Sequence, residues 1–496
     1  MNKLGANSLL EDPFEWQPSP ECEATLREVF KGLPLPIVDH HCHVAGMQEE
    51  CTGCYVHPSM SNLFLHPVNT FQKKAFLSAL GGGHISSDHP DLDLEVARRH
   101  AKLARHLASV IKKYSQHAQS SSKASSLKML LLPFDCVVDK NGEENREKTG
   151  LHVPQSHVED VARLAPEIFV PACSIHPYRK DCVERLRACH AKGVRMIKWL
   201  PNSMRIDVAH PLCDKFYHAV RELDMTILVH TGEERSVVAG GVEQEFGNPL
   251  RLRRPLKLGV RVLAAHCASE GSGSDLDLAP DYFKINPSQQ VDPEQSLSFE
   301  SLDQEFPDAE HRVPSPRRCD SLPKPKSKGD DEQEAPVCPP ALPKVGCFEL
   351  LKRLFDEPAY QNLIYSDISA LECFRRVETL VKVLADAELL ESNKLVHGTD
   401  YPVPALNVAV HTNQLVRLKL ITASQREIAN ECYRANPMLF DVVLKRMIRG
   451  DQKEVAMFPD KLFGPHDKID IGTFVDSQRD SFAKSIADSS SKSNRA

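Results

Sequence analysis

Short apolar runs recur along this chain, and most end on a histidine, an aspartate, a lysine or a Gly/Pro turn. The first is "IVDHHCH" (37–43). The others are "SLKMLLLPFDCVV" (126–138), "FVPACSIHP" (169–177), "GVRMIKWLP" (193–201), "MTILVHTG" (225–232), "VRVLAAHC" (260–267), "NLIYSDISA" (362–370) and "KLVHGTDYP" (394–402). Their length and β-branched content predict strands. Between them, stretches such as 181–193, 212–224 and 372–390 predict helices. Eight strands alternating with helices imply parallel βαβ units, so the expected fold class is α/β, a (β/α)8 TIM barrel.

Two stretches interrupt the alternation. Residues 44–92 make a long connection after the first strand, with "GGG" at 81–83, and are expected to form a lid over the strand ends. Residues 269–345 are rich in Ser, Pro, Asp, Glu and Gln. Such a segment buries too little apolar surface to offset the entropy of ordering, which predicts a long disordered insertion after strand 6. The expected organisation is an N-terminal extension over 1–30, barrel strands 1–6 over 31–268, and the insertion over 269–345. The barrel then continues over 346–447 with strands 7, 8 and a closing helix, and a C-terminal extension over 448–496 is disordered toward its end.

Composition narrows the function classes. With 496 residues and 41% hydrophobic content the chain can bury a large core. Its 61 Lys and Arg against 68 Asp and Glu give a net charge of −7, no electrostatic footprint for nucleic acid or an anionic membrane. No apolar run reaches the ~18 residues of a membrane span. The opening "MNKLGANSLLEDPFEWQPSP" lacks the apolar core of a secretory signal, so the expected compartment is cytoplasmic. The 15 cysteines are then expected to be reduced thiols, including Cys51 and Cys54 of "CTGCYVHP", which have no second Cys-x-x-Cys to complete a zinc site.

Side chains of a regular strand alternate between faces, so Asp39, His41 and His43 are expected on one face and His40 and Cys42 on the other. A lone His-x-His is weak, but other strands add to it. Lys198, His230, His266 and Asp400 each lie where an apolar run ends. In a barrel those ends converge on one mouth, and imidazoles with carboxylates there suit Zn²⁺, or Mn²⁺, Fe²⁺ or Ni²⁺. The plain alternative, unrelated buried polar residues, must hold at the same end of five strands.

Further residues are read with less commitment. His176 and Arg179 of "SIHPYR" end the third strand, where an arginine suits a substrate carboxylate, although a surface arginine fits the pattern too. Trp199 reads as packing, with Asn202 beside it. One of Glu233 and Glu234 either orients a ligand histidine or is solvated charge. Arg251, Arg253 and Arg254 read as an exposed face offsetting nearby acids. His40, His57, His66, His84, His89 and His397 read as non-ligands.

The ordered set His41-x-His43, Lys198, His230, His266 and Asp400 resembles the amidohydrolase superfamily, over roughly 36–268 and 346–440. In local wording, "ILVHTGEE", "NLIYSDISA" and "LVHGTDYP" are most similar to the amidohydrolase-related branch that includes aminocarboxymuconate-semialdehyde decarboxylase. The resemblance implies that His41, His43 and Asp400 hold the more buried metal ion. It implies that Lys198, if carbamylated, bridges a second ion to which His230 and His266 contribute. Asp400 is then also a proton shuttle, and with one ion His266 polarises a substrate carbonyl. The expected cofactor is one or two divalent ions, Zn²⁺ first. The expected function is metal-dependent hydrolysis of a C–N or ester/lactone bond of a small molecule. The alternatives are a metal-dependent decarboxylase of a small carboxylic acid and a catalytically inactive barrel serving as a binding or scaffold protein. A homo-oligomer is left open.

Overall fold

Each strand of the barrel is a short apolar run, and each is followed by an amphipathic helix that covers its outer face. The computed structural model describes residues 12–46, 48–61, 91–115, 125–139, 141–278, 342–406, 409–449 and 458–475. Residues 62–90 of the expected 44–92 lid, with "GGG", His66, His84 and His89, lie outside the described residues, as do 279–341 of the insertion and the tail beyond 475. The eight barrel strands are β1 (Ile37–His43), β2 (Leu127–Leu132), β3 (Phe169–Pro171), β4 (Met196–Trp199), β5 (Thr226–Val229), β6 (Arg261–Ala264), β7 (Ile364–Asp367) and β8 (Leu395–Val396). Helix α1 (Pro20–Val29) precedes them. The helices that follow the strands are α2 (Leu92–Tyr114), α3 (Gln155–Leu164), α4 (Cys182–Ala191), α5 (Asp214–Glu222), α6 (Arg253–Lys257), α7 (Cys347–Asp356), α8 (Val377–Ala385), α9 (Ala423–Ala435) and α10 (Pro437–Met447).

Strands β1, β2 and β3 pair in parallel, and so do β4 to β8. Two seams close the ring. At one, Cys173 beyond β3 bridges Ile197 of β4 in parallel, with Cys173 N–H on Met196 O at 2.9 Å and Lys198 N–H on Cys173 O at 2.7 Å. At the other, Cys42 bridges Tyr401 in parallel, and His40 N–H, Asp400 N–H and His43 N–H bond to His397 O, His41 O and Tyr401 O at 3.0, 2.7 and 2.8 Å. The result is the (β/α)8 barrel that the alternation predicts.

Val38, Leu130, Leu132, Val170, Ala172, Met196, Leu228, Leu263, Ala265, Tyr365 and Val396 form one buried cluster drawn from all eight strands, the filling of the barrel. A larger buried cluster joins the outer strand faces to the helices. Parity predicts this division everywhere except β1. There the pairing with β2 shifts register between Asp39 and Cys42, so two β1 residues, His40 and His41, oppose one on β2, Leu130. Such a bulge re-aims the side chains that follow it. Asp39 does not share a face with His41 and His43, contrary to strict alternation; its carboxylate accepts from His41 N–H at 3.0 Å, Thr399 N–H at 2.9 Å and Thr399 Oγ1–H at 2.7 Å.

Two segments expected to lie outside the fold are partly built into it. Ser272–Ser274 pairs antiparallel with Lys344–Gly346, so both ends of the 269–345 segment are clamped together. In the C-terminal extension, Ile469 and Ile471 join the barrel-filling cluster, and Phe458 and Phe463 are buried. Thr473 N–H and Val475 N–H bond to Gly193 O and Lys192 O at 3.1 and 3.0 Å, tying this strap to the turn before β4. No helix among the described residues is long and apolar enough to cross a membrane.

Candidate metal centre

The functional side chains stand at the C-terminal ends of the strands, where a parallel barrel gathers them. His41 and His43 come from the end of β1, Lys198 from β4, Asp367 from β7, and Asp400 from the turn after β8. His230 and His266 follow β5 and β6. His41 Nε2 lies 3.1 Å from His43 Nε2. Asp400 Oδ1 lies 3.2 Å from His43 Nε2 and 3.6 Å from His41 Nε2. Lys198 Nζ lies 3.1 Å from His41 Nε2. His266 Nε2 faces the second carboxylate oxygen of Asp400 at 3.9 Å.

Hydrogen bonds outside this ring set the tautomers. His41 Nδ1 is 2.9 Å from Asp367 Oδ2, so Nδ1 carries the proton and Nε2 turns a lone pair inward. His266 Nδ1 is 2.7 Å from Ser369 Oγ and 3.2 Å from Ser369 O, and the backbone acceptor assigns the proton to Nδ1 there too. Asp367 holds the assembly from its other oxygen, which accepts from His266 N–H at 2.9 Å, from Ser369 N–H at 3.1 Å and from the Ser369 hydroxyl.

The backbone is bent to deliver these groups. His266, Cys267 and Ala268 take φ of 57°, 51° and 49°, and Asp400 takes 58°, a region L-residues rarely occupy. Such strain concentrates at functional sites and persists only where neighbours enforce it. Here the neighbours are β7 side chains, since Asp367 accepts from His266 N–H and Ser366 Oγ accepts from Cys267 N–H at 3.1 Å.

Electrostatics keep the histidines neutral. Burial pushes His41 down to about 4, and burial also lowers His43, His230 and His266. Burial lowers Lys198 to about 8, short of a permanent cation. Burial alone would raise Asp400, but His266, His43 and His41 around it hold the carboxyl well below its ordinary range. The His41 Nε2 lone pair, His43 Nε2 and a carboxylate oxygen thus face one point. Ligands about 2.0–2.1 Å from a tetrahedral Zn²⁺ sit about 3.4 Å apart. The separations of 3.1, 3.2 and 3.6 Å therefore fit one divalent ion held by His41, His43 and Asp400. His41, His266 and Asp367 also cluster, but Asp367 is already spent on the two histidines.

Other expected residues fall elsewhere. His230 is in ring contact with His266, with centroids 5.5 Å apart, yet its Nε2 lies 3.4 Å from Glu233 O and 3.5 Å from Glu234 Oε2. Glu234 is buried, so of the two glutamates it is the one that faces a histidine. Arg179 is buried, and its Nε and Nη2 bind Asp135 at 2.7 and 2.6 Å, with Glu144 at 2.8 Å. His176 Nε2 bonds to Met204 O at 3.0 Å. The structure does not bring His176 or Arg179 to the ligand cluster. Trp199 is packing, its indole N–H on Ile175 O at 2.8 Å. Arg251, Arg253 and Arg254 do not form an exposed face: they turn inward onto Asp207, Glu357 with Asp277, and Asp214. Asp135, Cys136 and His152 also approach one another, but Arg179 covers the first two and burial pushes the Cys136 thiol far up, so that trio is a poor cation site.

Sequence reasoning missed Asp367, Ser369 and Arg376. Asp367 had a visible signal, an acid closing the apolar run "NLIYSD". Arg376, in the turn before α8, places Nη1 3.7 Å from Asp400 Oδ2, and nothing in "LECFRRVE" marks it.

No family model matches the chain, and no curated protein matches it. Solved structures align with it at low identity. An uncharacterized TIM-barrel protein from Bordetella bronchiseptica is 12% identical over 80% of this chain and 99% of its own, with a TM-score of 0.39. A 2,6-dihydroxybenzoate decarboxylase from Rhizobium is 11% identical over 82% and 98%, at 0.31. A 5-carboxyvanillate decarboxylase from Novosphingobium aromaticivorans with bound manganese is 10% identical over 82% and 94%, also at 0.31.

Proposed function

We propose that this chain is a metal-dependent enzyme of the amidohydrolase type, acting on a small molecule at the mouth of the barrel. The observation that carries the reading is the convergence of His41 Nε2, His43 Nε2 and Asp400 Oδ1, at 3.1, 3.2 and 3.6 Å, with both imidazoles neutral. A divalent ion held there, Zn²⁺ or Mn²⁺, would polarise a carbonyl and lower the pKa of water to about 7. The chain's own groups do the rest. Asp400 is ionised at neutral pH, as both a ligand and a base require, and its Oδ2 is the atom placed to take and return a proton. His266 turns a bare Nε2 toward that oxygen and is held by Ser369, so it can accept a hydrogen bond from a substrate hydroxyl or join the ligands of the ion. Lys198 beside His41 must be neutral or carbamylated when the ion binds, because an ammonium group would oppose it.

The reaction favoured is hydrolysis of a C–N or ester/lactone bond. The engagement of His230 by Glu233 and Glu234 supports one ion rather than two. A second reading, decarboxylation of a small carboxylic acid, is favoured by the Arg376 guanidinium beside Asp400. The deciding experiment is metal content per chain in protein purified without added metal or chelator. One equivalent is expected. Two would restore a carbamylated Lys198 bridging to His230 and His266. No uptake, even from zinc and manganese solutions, would reject the reading. Turnover of amides, lactones and carboxylic acids then separates hydrolase from decarboxylase.

A further inference from the structure

Cys22 of α1 and Cys432 of α9 meet in the helical layer, and the proposed chemistry uses neither. Their Sγ atoms lie 3.8 Å apart, and both side chains are fully buried. The patterning of the two helices brings them together. Cys22, Leu26 and Val29 form the buried face of α1, and Ile428, Cys432 and Ala435 lie on the buried face of α9, each set at i, i+4 and i+7. Just before α1, Ser19 N–H and Ser19 Oγ–H bond to the two carboxylate oxygens of Glu431 at 2.8 and 2.7 Å, and Ser19 Oγ accepts from Cys22 N–H at 3.2 Å. The start of α1 therefore grips Glu431 and presents Cys22 to the next residue of α9, which holds the two thiols in register. A disulfide needs sulfurs about 2.05 Å apart. Reaching that from 3.8 Å takes side-chain rotation and a slight approach of the two helices.

We infer that Cys22 and Cys432 are a reversible modification site, a disulfide clasp that locks α1 onto α9 when a small oxidising disulfide such as oxidised glutathione is present. One protein thiolate attacks a glutathione sulfur, breaks the S–S bond and releases one glutathione thiolate. The second protein thiolate attacks the protein sulfur of that mixed disulfide and releases the other glutathione. Two protein thiols are oxidised to one disulfide, and one glutathione disulfide is reduced to two thiols that take up the two protons. In the closed fold neither sulfur is reactive. The hydrogen bond with Cys22 and burial hold the Cys432 thiol well above its ordinary range, and a buried thiol of that kind is inert. The reaction therefore passes through local opening of α1, which belongs to no strand pair and can move away with the ring of strands intact. Once formed, the clasp joins positions on either side of all eight strands in one covalent loop. It also fixes α9, which leads directly into α10, where Lys445 holds Gly398 O. The inference is independent of the metal-dependent reading.

The test incubates the full-length protein with oxidised glutathione, digests it without reduction and maps the linked peptides by mass spectrometry. A Cys22–Cys432 linkage is expected, formed faster in sub-denaturing urea than without it. It should raise Tm by about 4 °C, the scale of one cross-link in a protein of this size, and dithiothreitol should reverse the rise. Cys22→Ser and Cys432→Ser should each abolish both the linkage and the rise. Cys22→Ala carries the test if the serine variant does not fold. Oxidised wild-type protein without the linked pair overturns the inference, including one that carries glutathione only on the exposed Cys51. An equal rise in Tm in the Cys22→Ser protein overturns it too. A linkage that leaves Tm unchanged overturns the clasp, and a rate indifferent to urea overturns its formation through opening of α1.

Discussion

At the scale of single residues, the centre depends on a carboxylate that is not itself one of the three proposed ligands. Asp367 fixes the tautomer of His41 and the backbone of His266 at once. Asp367→Asn keeps the shape but removes the charge, and partners of this kind typically change metal affinity by about 10–100-fold. Zinc retention against a graded chelator should fall by that factor, and unchanged retention would show that Asp367 only packs. Asp400→Asn should abolish metal-dependent activity with the barrel still folded, as circular dichroism would verify; full activity would remove it as the base. Away from the mouth, Asp135 is the partner of buried Arg179, and Arg179 holds its carboxyl below the usual range against the cost of burial. Asp135→Ala should cost about 3 kcal/mol in urea unfolding without changing metal content, because it leaves a buried cation with only the exposed Glu144. The clustering of His41, His43 and Asp400 was legible in the sequence because a polar residue ending an apolar strand has few reasons to be there. Asp367 gave the same signal, but its pairing with His41 spans 326 positions and no local pattern encodes it. The parity error at Asp39 has a different origin, a bulge of one residue that composition does not reveal.

At the scale of elements, the turn after β8 is held from three sides. Asp39 accepts from Thr399, Lys445 of α10 donates to Gly398 O at 2.8 Å, and a Cβ on Gly398 would lie 2.8 Å from His41 Cβ. Lys445 is itself buried on Asp441 at 2.7 Å, so the closing helix positions the Asp400 turn. Gly398→Ala should displace His41 or the turn, costing about 1–3 kcal/mol by overpacking and weakening zinc retention; a variant with native retention would show that the turn gives way freely. Helix α2 makes a separate, pH-dependent contribution. Burial lowers its His100 to about 3 and its His106 to about 4. Both are neutral in the fold, whereas the unfolded chain protonates them below about 6.5. Stability from these two groups is therefore full above that value and falls as pH drops toward 4, by about 2 kcal/mol per group at pH 5. Replacing His100 with Phe should flatten the dependence of Tm on pH between 7 and 5, and an unaltered slope would assign the proton uptake elsewhere.

At the scale of the whole molecule, a barrel carries a stopper from the C-terminal extension and an insertion whose two ends are stapled together. The alternation of strands and helices was readable because each βα unit carries its own periodicity. The strap over 458–475 was not, because its contribution is a few isolated apolar residues, Ile469 and Ile471 among them, whose partners lie inside the far end of the barrel. The described residues at both ends of the expected 269–345 insertion are built into the fold. Composition averages over a window and cannot see that Gly273 pairs with Val345, that Arg353 bridges to Asp275 at 2.8 Å, or that Glu270 faces Arg376 at 3.4 Å. The two limits predict different outcomes for two deletions. Removing 279–341 and joining the ends with a short linker leaves the antiparallel pair intact and closes a shorter loop at no greater entropic cost. That protein should unfold cooperatively near the wild-type Tm and retain its zinc. Removing 269–345 entirely takes away Glu270, Asp275, Asp277 and all of the pair but Gly346, leaving Arg353 without its carboxylates and Arg376 with Asp400 alone. It should unfold at a clearly lower temperature. If both deletions behaved like the wild-type protein, the ladder at the base of the insertion would be ornamental; if both failed, residues 279–341 would have to contribute contacts of their own.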